Sequence, residues 1–119
     1  IKNIPENSFV GYGDSYKTNR PTTMATIPVG YYDGYDRKLG NRGYVLVNGH
    51  KAPILGRICM NISIIDITDC GPVTSEDDVV LIGRQENKTI TVEQIADWAN
   101  TINYEIIVRL RESLPRYYI

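Results

Sequence analysis

Nine tyrosines stand in this chain against one phenylalanine and one tryptophan. A packed core is content with phenylalanine, whereas each tyrosine adds a hydroxyl that needs a polar partner and can take part in proton transfer. Other catalytic side chains are scarce. His50 is the only histidine and lies beside an Asn-Gly turn, so neither a histidine-based triad nor a multi-histidine metal site can be assembled. Cys59 and Cys70 are too few for a disulfide framework or a four-ligand metal site, and they lack C-x-x-C spacing. Glu76, Asp77 and Asp78 run together ahead of a strand, as the carboxylates of a solvated turn do. No G-x-x-x-x-G-K-[ST] string occurs, and Gly11-Tyr12-Gly13 is only a fragment of a dinucleotide fingerprint. Tyrosine and arginine remain: phenols for proton transfer and uncharged hydrogen bonds, guanidiniums for carboxylates. Tyr12, Tyr31, Arg37, Arg57, Met60 and Tyr104 stand in the most specific local contexts, and no metal site is expected.

Strands must position most of these residues. Short runs rich in β-formers cover 8–13, 22–30, 44–47, 52–55, 57–68 and 78–83, each bounded by Gly, Pro, Asn or Asp. Asn48-Gly49 suits the two positive-φ positions of a type I′ turn and predicts a hairpin from 44–47 into the strand after Lys51. The segment 61–67 alternates except at Ile64-Ile65, which predicts a central strand with a bulge. Val92, Ile95, Ala96 and Ala99 keep helical spacing, with Thr91 and Gln94 as a capping box, so one helix is expected over 92–99. Residues 104–110 read as a further strand. Closely spaced short strands with one late helix predict a mainly β sandwich or barrel.

A chain of 119 residues makes one domain with an ordinary core. Its net charge of −1 gives no bulk field for nucleic acid or an anionic membrane, and no apolar window is long enough to span a bilayer. The opening IKNIPENSF lacks a signal-peptide core and a Met, as expected of a domain cut from a longer cytoplasmic protein.

The strings V-G-Y-G-D-S-Y at 10–16, I-P-V-G-Y-Y-D-G-Y at 27–35, A-P-I-L-G-R-I-C-M-N at 52–61, L-I-G-R-Q at 81–85, T-I-N-Y-E at 101–105 and L-P-R at 114–116 together resemble the C-terminal domain of alanine racemases, across essentially the whole chain. The resemblance implies a small closed Greek-key β-barrel that follows a (β/α)₈ barrel, absent from this chain, whose lysine carries pyridoxal 5′-phosphate. It implies a head-to-tail homodimer with composite active sites and a small-molecule substrate, either alanine alone or serine as well as alanine. Moving a proton from one face of a planar α-carbon to the other takes two bases. The family's tyrosine base corresponds to Tyr12. A free tyrosine titrates at about 10, so a phenolate at neutral pH requires roughly 4 kcal/mol of differential stabilisation, which the family draws from its barrel. Met60 matches the methionine whose backbone amide approaches the substrate carboxylate. Tyr104 matches the tyrosine at the cofactor phosphate, with Ile102 beside it. Tyr31, Arg37 and Arg57 match positions lining the access corridor.

Departures from the family pattern are Gly11 in place of serine, Asn61 in place of aspartate, and Tyr32 in place of a small residue. Lys2, Lys17, Lys38, Lys51 and Lys88 all stand in polar end or turn contexts that do not suit a Schiff-base lysine, so the domain alone is expected to be inactive. The tyrosines from Tyr12 to Tyr35 are expected on the face that meets the missing barrel, leaving the isolated domain prone to self-association. Other readings are the racemase part of a membrane-anchored serine/alanine racemase, a basic amino-acid decarboxylase domain and a free-standing β-barrel binding module.

Overall fold

Gly, Asn and Asp recur every few residues in this sequence, which favours short strands joined by tight turns. The computed structural model describes residues 1–118. Its strands are β1 (Lys2–Ile4), β2 (Phe9–Val10), β3 (Tyr16–Lys17), β4 (Thr22–Ile27), β5 (Tyr44–Val47), β6 (His50–Pro53), β7 (Ser63–Asp66), β8 (Val79–Val80), β9 (Gly83–Gln85) and β10 (Lys88–Ile90). Helices α1 (Val92–Trp98) and α2 (Asn103–Val108) follow, and 3₁₀ turns occupy Tyr31–Asp33 and Arg37–Leu39.

All pairings are antiparallel, in the ladders β1-β4-β7, β6-β5-β8, β2-β3 and β9-β10. Ile54 bridges Ile65, and the Leu55 N–H donates to the Ile64 carbonyl at 2.8 Å, so the end of β6 lies beside β7 and joins the two larger ladders. Leu39, Val45, Leu46, Ile58 and Ile65 fill the core, which Ile90, Ile95 and Ile106 cover from the C-terminal third. The mainly β architecture is the expected one.

Local readings fared unevenly. The Asn48-Gly49 hairpin forms as expected, with φ of 51° and 76° at its two turn residues. β7 is the end strand of the β1-β4-β7 ladder, with only the Ile54–Ile65 bridge on its other side, and it has no bulge: Ser63 to Asp66 pair one-to-one with Ile27 to Met24. Ile65 faces the core while Ile64 is half-covered on the other side, so two adjacent isoleucines need no extra residue between them. The predicted 57–68 strand starts only at Ser63, because the preceding loop turns back to bond the 31–32 turn. β4 stops before Pro28, which has no N–H for the ladder.

The largest correction is 104–110, a predicted strand that is helical from Asn103 to Val108. Its β-branched residues suggested a strand, yet α2 packs on α1, buries Ile106 and gains the i,i+4 pair of Glu105 with Arg109. Two helices therefore replace the single one expected. In α1, Thr91 Oγ1 caps the Gln94 N–H, but the Gln94 side chain donates to Tyr44 Oη at 2.8 Å, so only half of the capping box forms.

Candidate functional site

Glycine immediately precedes three of the predicted residues, as Gly11-Tyr12, Gly30-Tyr31 and Gly56-Arg57. Each glycine lets one backbone press on another. Gly11 and Gly56 have φ of +85° and +72°, and a Cβ on Gly11 would lie 3.3 Å from Gly56 Cα. A side chain at either position is strained and crowded, which accounts for the glycines here. Ser15 and Asn41 lock this junction. Ser15 Oγ accepts from the Arg57 N–H at 2.8 Å, and Asn41 donates to the Ser15 carbonyl while accepting from the Gly56 N–H at 2.7 Å. On the other side, a Cβ on Gly30 would strike the Cys59 and Met60 carbonyls, which accept the Tyr31 and Tyr32 N–H groups, both at 3.0 Å.

These contacts bring Tyr12, Tyr31, Arg37, Arg57 and Met60 around one open pocket of about 410 Å³, with Ile58 and Cys59 completing its lining. Tyr12 stands at the rim, 74% exposed, and its hydroxyl has no hydrogen-bond partner among the described residues. Arg37 lies over the Tyr31 ring at 5.9 Å. No carboxylate lines the pocket, and neither Arg37 nor Arg57 is in an ion pair among the described residues. Asn61, next to Met60, adds no charge there. The Met60 N–H has no backbone partner among the described residues and is free to donate.

Tyr104 and Ile102 are not among the residues lining this pocket. They stand at the start of α2, 71% and 59% exposed. Tyr35 is also placed differently from expectation. It is buried in the core, where burial pushes its phenol pKa upward, so it is no part of the exposed tyrosine face. Tyr32 is exposed beneath the Arg111 guanidinium, 4.9 Å from its ring. The supporting residues Ser15, Asn41 and Asp33 escaped the sequence reading, although the repeated glycine before a wall residue was a signal for them.

The geometry defines a mainly β domain whose open, carboxylate-free pocket suits a small ligand bearing a carboxylate. Over residues 1–118 the chain matches the family described as alanine racemase, C-terminal domain. It is 48% identical over 118 residues to the alanine racemase of Halothermothrix orenii, a match covering 99% of this chain and 31% of that relative. Among solved structures it is similar to the alanine racemase of Bartonella henselae with covalently bound pyridoxal phosphate, at a TM-score of 0.88 and 41% identity over 99% of this chain and 32% of that one. The alanine racemase of E. faecalis gives a TM-score of 0.92 at 33% identity, over 99% of this chain and 31% of that one. The chain belongs to the alanine racemase C-terminal domain family and spans about a third of the length of these relatives.

Proposed function

We propose that this chain is the C-terminal part of a pyridoxal-phosphate-dependent racemase that interconverts L- and D-alanine. The observation carrying this reading is the convergence of Tyr12, Tyr31, Arg37, Arg57 and Met60 on one pocket from separate segments of the chain. The residues fit half of such a site. No lysine lines the pocket, so the lysine that holds the cofactor belongs to the part of the protein outside this chain. Tyr104, exposed and uncharged, suits a hydrogen bond to a phosphate oxygen. When bound, the cofactor supplies the electron sink for the pair left as the α-proton departs.

The chain's own residues then have separate tasks. Tyr12 Oη moves the proton on one face of the α-carbon. The Met60 N–H donates to the substrate carboxylate. Arg37 and Arg57, without carboxylate partners among the described residues, draw that carboxylate inward, and the rings of Tyr31 and Tyr12 narrow the passage. In this reading the open half-site is completed by a second subunit, in a homodimer with composite active sites. Among the described residues no helix is long and apolar enough to cross a membrane. We assign the working protein to the cytoplasm, where the cofactor and free amino acids are available.

The test is racemisation by the full-length protein reconstituted with pyridoxal phosphate. L-Alanine should be converted to D-alanine with kcat/KM at least about tenfold above that for L-serine. A serine preference would reassign the substrate, and no racemisation of either would overturn the reading.

A further inference from the structure

The wall bearing Tyr31 and Arg37 is fastened from behind by the segment that follows α2. The Asp33 carboxylate, 13% exposed, accepts from the Gly30 N–H at 3.1 Å and from Arg111 Nη2 at 3.0 Å. The Arg111 N–H donates to the Asp33 carbonyl at 3.1 Å, and its guanidinium covers the Tyr32 ring. Gly30 in turn abuts the Cys59 and Met60 carbonyls. A continuous chain of contacts thus runs from Arg111 through Asp33 and Gly30 to Met60 on the far side of the pocket. Arg111 itself does not line the pocket.

A second arginine, Arg109, pairs with Asp36, whose carboxylate is as well covered as that of Asp33, and with Glu105, but neither of its side-chain bonds reaches Gly30 or the Cys59-Met60 segment. Arg111 differs in what it reaches. It makes a main-chain bond, an ion pair to a largely buried carboxylate and a ring contact at once. Its Nε is buried without a partner among the described residues, which forfeits part of the gain from burial. That pattern suits a residue that sets geometry better than one that adds stability.

We infer that Arg111 is a positioning residue of the pocket: through Asp33 it holds Gly30, and with it Tyr31 and Arg37, against the Cys59-Met60 segment. The inference rests on the racemase reading only for its kinetic consequence. The test uses the full-length protein with Arg111→Met, Arg111→Lys and Asp33→Asn. Hydrogen exchange of the Tyr31 and Tyr32 amides, whose acceptors are the Cys59 and Met60 carbonyls, reports the clasp directly. In Arg111→Met these amides should exchange at least about tenfold faster while the melting midpoint falls only slightly and other core amides keep their protection, and Arg111→Lys should recover part of the protection. KM for alanine should rise by about tenfold with kcat within about twofold, because access is loosened and the proton-transfer groups are untouched. Asp33→Asn should reproduce both effects, and combining it with Arg111→Met should add little. Unchanged exchange in Arg111→Met overturns the inference, as does faster exchange spread over the whole domain. Should the wild-type protein fail to racemise any amino acid, the functional reading falls while the exchange result still decides the clasp.

Discussion

Tyr12 owes its position to its neighbours more than to itself. Nothing among the described residues bonds its hydroxyl, and the ring is held at the rim because Gly11, Ser15, Asn41 and Gly56 fix the turn beneath it. Gly56→Ala should therefore cost about 1–3 kcal/mol, from the strain of an alanine at positive φ, measured by denaturant unfolding. A loss near zero would mean that the Gly11–Gly56 junction is looser than described. The strings around Tyr12, Tyr31, Arg57 and Met60 made part of the site legible in the sequence. The polar partners were not legible, because Ser15 and Asn41 are ordinary turn residues until the fold brings them to residues 56 and 57. A different surface governs the response to acid. Arg20 donates to Asp69 and holds its carboxyl below the usual carboxylate range. A folded-state pKa lowered in this way contributes stability above about pH 4, and that contribution fades as pH falls through the folded value. Asp69→Asn should lower the melting midpoint slightly at neutral pH and leave it unchanged near pH 2, whereas an equal deficit at both would assign the effect to packing.

Turn chemistry and helical period were readable; helix against strand in a β-branched segment was not. Asn48-Gly49 encodes its hairpin locally, and α1 declares itself through Val92, Ile95, Ala96 and Ala99. In Ile106-Ile107-Val108 the intrinsic preference favours a strand, and packing on α1 decides otherwise. The β9-β10 hairpin was missed for a related reason: Glu86 takes a positive φ of 54° in its turn, a conformation its residue type does not advertise. If tertiary contact holds α2, then Ile106→Ala, which empties its one buried position, should destabilise the domain by about 2–5 kcal/mol. Far-UV circular dichroism should show helix lost before strand as denaturant rises. A change below about 0.5 kcal/mol would mean that α2 is held by its flanking ion pairs instead.

As a whole the domain presents more apolar surface than a lone domain requires. Tyr12, Tyr31, Met60, Ile102, Tyr104, Ile107 and Val108 are all exposed, while the core beneath is complete. The isolated chain should fold and self-associate as its concentration rises, and sedimentation showing a monomer throughout would count against a covered face. That face gives the racemase reading its physical sense, since a pocket with an exposed phenol, two guanidiniums in no ion pair among the described residues and no lysine offers only part of what racemisation needs. The division of labour it implies is open to a direct measurement in the full-length protein: solvent deuterium exchange at the α-carbon, followed separately from D- and L-alanine, for wild type and Tyr12→Phe. Phenylalanine keeps the ring and removes only the hydroxyl, so stability should change by no more than about 1 kcal/mol. Exchange from L-alanine should fall by roughly 10²–10⁴, the usual loss for a missing general base, while exchange from D-alanine persists. Equal loss from both enantiomers, or none from either, would contradict the assignment of Tyr12 as the base for one face.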